Sequence, residues 1–426
     1  MNEFINPPIG GLPYLYGSNA DVSVSSRFVA TLTMHLQKSV LEQVLSEAML
    51  RFPNIAIGVV EDDGQYVFSH VDAPVPVFDL NDCDQPCVFG DPSLNGYMFK
   101  ISMSDKTVCF DFSRALVDEQ GMVAFVKAVI YRYIDLAGHP VANDGTVKIL
   151  SDVPLDAEGA DALPRMDDLS ASRPVWYMDA KAAKGSVPGA LKEDVVQVRI
   201  PQSKLKGDRM QLVNIPVTYL APVFSHAVYE SLEGGLVQGE YIVASVQINL
   251  RPYLPSASMS PYTTPIYLAY NRNLREYPYG TVLMSQKKLL EAQLKNDALA
   301  YSAQRKINEI EKAFERRKSI DERKAAFSNY NEKVFSRATY DICRVGNLIL
   351  PDAMQRYVTE FYPVIPAGPY VYSLTVSNYK GDVVVTVCGR KGVRAVCDRF
   401  VGVLAGIDVD AFVADEFSFT PMRNQI

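Results

Sequence analysis

Residues 109–121 read Cys109-Phe110-Asp111-Phe112-Ser113-Arg114-Ala115-Leu116-Val117-Asp118-Glu119-Gln120-Gly121, and three local patterns meet in them. Residues 107–112 alternate as a strand, with Asp111 on the face of Cys109 and opposite Phe110 and Phe112. Residues 113–120 break that alternation and read as a loop. From about Gly121 the apolar residues recur at helical spacing, as Met122, Val123, Val126, Val129, Ile130 and Tyr133, until Ala137-Gly138 ends the run. A strand therefore delivers a short loop carrying Arg114, Asp118 and Glu119, and a helix carries the chain away. Gly121 is expected to let the chain turn into that helix without a side-chain clash. Arg114 stays protonated at physiological pH, so it offers charge and hydrogen-bond donors but no base.

Working outward, residues 97–103 form a second strand that turns at Ser104-Asp105-Lys106. Phe28, Ala30, Leu32 and Met34 alternate as another. Ser39 and Glu42 suggest a capping box for a helix with Val40, Leu41, Val44, Leu45, Ala48 and Met49 on one face, ending at Arg51-Phe52-Pro53. Residues 55–60 and 65–69 join through Asp63-Gly64, a hairpin signal. Residues 140–192 are rich in Asp, Ala, Gly and Pro and read as a linker with some local structure. Beyond it come a strand at 195–200, an apolar helix at 215–232 and a strand at 241–250. The longest helical pattern runs over 286–326 with charges of both signs. It suits either a solvated surface helix or a partner-binding one. Residues 370–377, 382–388 and 393–404 repeat the strand–turn–strand–loop–helix order of 97–133, as two lobes built on one unit would.

Composition bounds the rest. At 426 residues the chain is long enough for two domains. Hydrophobic residues at 48% and charged ones at 21% are ordinary for a globular protein. A net charge of −7 gives no footprint for nucleic acid or anionic membrane. No run reaches the ~18 apolar residues of a membrane span, and the first residues lack a signal peptide's basic and apolar regions, so a cytoplasmic location is expected. Cys83 and Cys87 are the one close cysteine pair and lack a matching second pair, and the four histidines, His35, His70, His139 and His226, lie far apart. No metal site is expected, and the cysteines read as small buried residues of a reducing compartment. Phosphate-binding glycine loops, a nucleophile elbow and a zinc-protease motif are all missing.

The loop resembles the His-x-x-x-Asp-Gly segment of CoA-dependent acyltransferases of the chloramphenicol acetyltransferase-like superfamily, in its alcohol acetyltransferase and condensation-domain branch. Residues 113–127, SRALVDEQGMVAFVK, match His-Ala-Leu-x-Asp-Gly-x-Gly-Ala-x-x-Phe-Leu-Lys at Ala115, Leu116, Asp118, Gly121, Phe125 and Lys127, with Arg114 in place of the histidine and Glu119 in place of the glycine. Leu50-Arg51-Phe52-Pro53 resembles the end of the family's first helix, and Asn249-Leu250-Arg251 the end of a strand facing its tunnel. Residues 343–351, CRVGNLILP, resemble Ser-Asn-Leu-Gly-x-Ile-x-Leu-Pro at Gly346, Leu348, Leu350 and Pro351, with Arg344 in place of the asparagine.

The resemblance implies an α/β fold of mixed sheets in two lobes, residues 1–150 and 193–426 joined by a linker at 151–192, with a tunnel at their interface. It implies Arg114, Asp118 and Ser113 at the catalytic position, and Asn249, Arg251 and Gly346 beside the acyl donor. Acyl-CoA is then a co-substrate, with no bound cofactor and no metal. The partners implied are a small acyl donor, an alcohol or amine acceptor, and an acyl carrier protein as the alternative donor, without nucleic acid or membrane. In the family the histidine removes the acceptor's proton and the aspartate pairs with an arginine to hold the loop. Three readings of Arg114 stay open: it pairs with Asp118 or Glu119 as a remnant, it clamps a carboxylate or phosphate, or it stabilises developing negative charge while another group acts as base. A substitute base would need a carboxylate whose pKa burial has raised. His226 could reach the tunnel or be a satisfied core or surface histidine. The protein is accordingly either a non-catalytic binder in an old tunnel or an atypical acyltransferase.

Overall fold

A computed structural model describes residues 4–18, 22, 25–80, 88–161, 163, 181–184, 192–214, 216–232 and 235–424; Cys83 and Cys87 lie outside them. Two principal sheets organise the chain. The first has five strands in the order Val358–Val364, Ser25–Leu32, Thr107–Ser113, Phe99–Met103, Val77–Asp79. Phe28, Ala30, Phe110 and Phe112 leave one face of it, where helices Lys38–Arg51 and Glu119–Leu136 cover them in a continuous apolar core. The second sheet has eight strands and runs Thr263–Tyr270, Glu240–Asn249, Tyr340–Asn347, Tyr372–Tyr379, Asp382–Gly389, Glu193–Pro201, Phe412–Phe419, with Lys181–Ala182 beside Glu240–Asn249. Helices Pro216–Ser231 and Val393–Ala405 cover its outer face. The fold is thus a two-lobed α/β arrangement with mixed sheets.

Strand Val358–Val364, inside the range expected for the second lobe, pairs antiparallel with Ser25–Leu32 of the first sheet. It stitches the lobes together through backbone hydrogen bonds.

Alternation in the second sheet sorts its residues by chemistry. Ile242, Ala244, Val246, Tyr340, Ile342, Leu374, Val376, Val385, Val387, Val196 and Val198 enter the second core. The residues between them face the other way, and many are polar. Register aligns Gln247 with Cys343, Cys343 with Thr375, Thr375 with Thr386 and Thr386 with Gln197. A polar row therefore crosses five strands on the face turned from the second core.

The hairpin at Asp63-Gly64 forms, with φ of +43° and +69° that suit a type I′ turn. Lys380-Gly381 does the same in the second lobe, at +48° and +82°. The capping box at Ser39 does not form: the helix begins at Lys38 with Gln37 at its N-cap and no side-chain cap. The run at 286–326 is not one helix. It is divided among Tyr279–Gln293, Asn296–Phe314 and Ile320–Phe335, the last opened by Ser319, whose Oγ accepts from the Glu322 amide at 3.3 Å. Their inner faces carry Leu290, Leu299, Ala303, Ile307, Ile310 and Phe327, all buried. Among the described residues no helix is long and apolar enough to cross a membrane.

One buried ionic cluster pins the first helix. Arg51 donates to Glu158 at 2.8 and 3.2 Å, and Lys148 also pairs with Glu158. Burial alone would raise the Glu158 pKa, yet hydrogen bonds from Arg51 and Lys148 hold it below the ordinary value. A depressed carboxylate stabilises the fold above its unfolded-state pKa, and that contribution is lost as the pH falls through the folded-state value. Arg51→Leu should lower the unfolding free energy at neutral pH by about 3 kcal/mol and flatten the loss of stability in acid. Urea unfolding of both proteins as a function of pH measures this.

Candidate functional site

Asp118 terminates the loop and starts the helix. Its Oδ1 accepts from the amides of Gln120 at 3.1 Å and Gly121 at 3.0 Å, the N-cap geometry that satisfies otherwise orphaned donors. Its Oδ2 belongs to the other lobe, accepting from Arg251 Nη1 at 2.7 Å and the Tyr262 amide at 3.0 Å. Arg251 in turn donates to the carbonyls of Ser258 at 3.0 and 2.7 Å and Ser260 at 3.0 Å, and Nη1 also reaches Asn249 Oδ1 at 3.2 Å. Burial pushes the Asp118 pKa up, while Arg251 pulls against it.

Arg114 does not pair with Asp118. Its Nε lies 3.3 Å from Glu119 Oε1, which also accepts from Ser26 Oγ at 2.8 Å. The guanidinium stacks 4.7 Å from the ring centre of Tyr14. Burial works against its charge, but Tyr14, Glu119 and Asp341 outweigh that and raise its pKa. Ser113 is buried and its Oγ accepts from the Ala115 amide at 3.2 Å, tightening the loop.

Two glycines let backbones meet around this loop. A Cβ on Gly121 would lie 2.4 Å from the Met259 carbonyl oxygen, and one on Gly11 only 2.2 Å from that of Ala115. Gly121, already inside the helix, is therefore required by close approach of the second lobe and not by the turn into the helix. Gly346 has φ +88° at an irregularity in the strand Tyr340–Asn347, where the neighbouring Val345 carbonyl accepts from Gln120 Nε2 at 2.5 Å. Asp118 and Asn249 thus each meet Arg251 directly, and Gly346 sits one residue from a contact with the same helix start.

On the other side of Arg114 is a cavity of about 100 Å³, lined among others by Tyr14, Gln247, Lys306, Asp341 and Tyr370. Asp341 is buried, accepts from Gln247 Nε2 at 2.9 Å, and has a pKa raised by burial, with hydrogen bonds from Gln247 and Ser245 and the Arg114 charge opposing. Lys306 donates to the Thr263 carbonyl at 2.8 Å, and burial together with Arg114 lowers its pKa to about 8. Cys343 has its thiol pushed well up by burial and by Glu119 and Asp341, so it is a poor nucleophile. Sequence reasoning missed Tyr14, Gln247, Lys306 and Asp341. The signal for Asp341 was a lone carboxylate alternating with Tyr340 and Ile342. His226 is elsewhere, with Nδ1 2.6 Å from Tyr270 Oη and Nε2 3.3 Å from Glu230. Asp111 pairs with Arg27 at 2.8 and 2.9 Å.

Neither a family model nor a curated protein sequence matches the chain; solved structures do. Polyketide synthase associated protein 5 from Mycobacterium tuberculosis superposes with a TM-score of 0.61 at 10% identity, over 96% of this chain and 98% of that one. TRI101 of F. sporotrichioides, solved with coenzyme A and T-2, gives 0.61 at 10% identity over 96% and 99%. The epimerization domain from the third module of tyrocidine synthetase B gives 0.55 at 9% over 96% and 96%. The chain has the two-lobed fold of the condensation domains and CoA-dependent acyltransferases.

Removing Arg251 leaves the Asp118 carboxylate buried beside Glu119, and breaking such a pair costs about 3–5 kcal/mol. Arg251→Ala should therefore destabilise the protein by that amount. Arg114→Ala should cost less, because Glu119 keeps Ser26. Melting curves of the two variants decide; equal losses would contradict the assignment of Asp118 to Arg251.

Proposed function

We propose that the chain binds an acyl thioester, carried by coenzyme A or a carrier protein, together with an alcohol or amine acceptor between its lobes, and that it lacks the general base on which acyl transfer in this fold relies. The observation that carries this reading is the state of Arg114. In the catalytic loop it is a guanidinium held charged by Glu119 and stacked on Tyr14, unable to take a proton. It suits an anion or a polarised carbonyl oxygen instead. Ser113 and Asp118 shape the loop around it. Asn249, Arg251 and Gly346 border the donor side, where Arg251 acts as a positioning residue because its donors hold Asp118 and the 258–260 carbonyls. The coenzyme A complex of TRI101 and the synthetase origin of the epimerization domain support the two donor sources.

A second reading rests on Asp341. A buried carboxyl with a raised pKa, lining the same cavity as Arg114, has the chemistry of a substitute base. Arg114 would then stabilise the oxyanion.

Calorimetry with acyl-CoAs and a thiol-release assay over a panel of alcohols and amines separate the readings. The impaired reading predicts acyl-CoA binding without thiol release above background. It also predicts turnover on the order of 10²–10⁴-fold higher once Arg114→His and Glu119→Gly are combined. Turnover in the wild type that survives Arg114→Ala at reduced rate and dies in Asp341→Asn favours the substitute base. Absence of both binding and turnover would contradict the proposal.

A further inference from the structure

A second cavity, larger than the one beside Arg114, lies elsewhere among the described residues. A cleft of about 740 Å³ opens between the outward face of the first sheet and the edge of the second, and none of its lining residues borders the Arg114 cavity. Arg27, Val29 and Thr31 on one strand, with Thr107, Cys109, Glu360 and Tyr362 on its two neighbours, form one wall. Gln197 and Arg199 with residues 412–415 and 417–420 form the other. The size falls within the range of about 300–1,000 Å³ typical of small-ligand sites, whereas about 100 Å³ beside Arg114 does not.

Three of the four charged side chains on its walls, Arg27, Arg199 and Glu360, are ion-paired within the chain. Arg27 holds Asp111 through two hydrogen bonds and stacks 4.7 Å from Phe419. Arg199 pairs with Glu360 and, at 3.5 Å, with Asp382. Thr31 and Thr107 bond each other at 3.0 Å, and Ser418 Oγ donates to Asp194 at 2.7 Å. What these pairs leave is apolar: Val29, Leu80, Tyr362, Phe412, Phe417 and Phe419. Arg27, Arg199 and Glu360 are engaged in these pairs, so an ion entering the cleft has to break one of them or go without a counter-charge from them. Gln197 supplies one polar feature on the wall. Arg199 Nε donates to its Oε1 at 2.9 Å, which fixes the amide orientation, and its Nε2 has no partner among the described residues. A carbonyl reaching that wall would satisfy it.

The shape selects among neutral ligands. Arg27 to Thr31 spans about 13 Å at the ~3.3 Å per residue of a strand, and Phe412–Phe419 runs along the facing wall. An acyl chain laid against the Arg27–Thr31 strand would be extended over that length. Phe412, half-exposed at 49%, presents an apolar ring at the rim.

We propose that this cleft is a second ligand site, which takes an uncharged, extended acyl chain bearing an ester or amide carbonyl. The site stands apart from Arg114 and does not depend on the reading of the catalytic loop.

Calorimetric titration of the purified protein with methyl decanoate, decanoate and decyltrimethylammonium tests it. The neutral ester should bind saturably and at least tenfold more tightly than either ion. Val29→Trp, which fills the slot, should abolish binding. Phe412→Ser, at an exposed rim where folding is spared, should weaken it about tenfold. Arg114→Ala should leave it unchanged. Tighter binding of decanoate or of the cation, or no saturable binding of the ester to folded protein, overturns the proposal. So does binding that survives Phe412→Ser undiminished, or that disappears in Arg114→Ala, which would put the ligand in the other cavity. If Val29→Trp fails to fold, the Phe412→Ser and Arg114→Ala results decide.

Discussion

A single carboxylate, Asp118, is asked to do two jobs at once. One oxygen caps the helix Glu119–Leu136 of the first lobe, and the other holds Arg251 and the Tyr262 amide of the second. Burying a charge is costly unless hydrogen bonds replace its water, and here protein donors on both oxygens do so. The arrangement therefore exists only when both lobes are in place. Gly121 follows from it, since the backbone at Met259 comes too close for a side chain. The 256–262 segment is held at the helix start by Arg251 through its own carbonyls at 258 and 260.

Once that junction is fixed, the polar face of the second sheet and the loop at 113–120 border one cavity. Arg114 then stands among Tyr14, Glu119 and Asp341, a partly buried cation that needs negative neighbours. Glu119, where the family's pattern has glycine, supplies the closest of them. Arg114 and Glu119 are thus physically linked: a guanidinium in this loop calls for an acid beside it.

Much of the fold was legible because its signals are local. Asp63-Gly64 announces a hairpin through residues that tolerate positive φ, and the strand–turn–strand–loop–helix order recurs in each lobe. Asp118 was readable as the loop's anchor, and its pairing with an arginine was expected. Which arginine was not readable, because Arg114 is four residues away and Arg251 is reached only through the fold. The capping box at Ser39 failed because a four-residue pattern competes weakly with packing. The breaks that divide the run at 286–326 into separate helices were not readable, because no Gly or Pro marks them and charges at helical spacing continue across them. The crossing of Val358–Val364 into the first sheet and the burial of Asp341 are both long-range facts, carried by no spacing in the chain.

The direct test of this account is a double-mutant cycle on Asp118→Asn and Arg251→Met, measured by chemical unfolding. A shared buried pair predicts a coupling energy of about 2–3 kcal/mol, at the upper end for residues in contact. Additivity of the two changes to within about 0.5 kcal/mol would show that the carboxylate and the guanidinium do not depend on each other, and that the lobes are joined by something else.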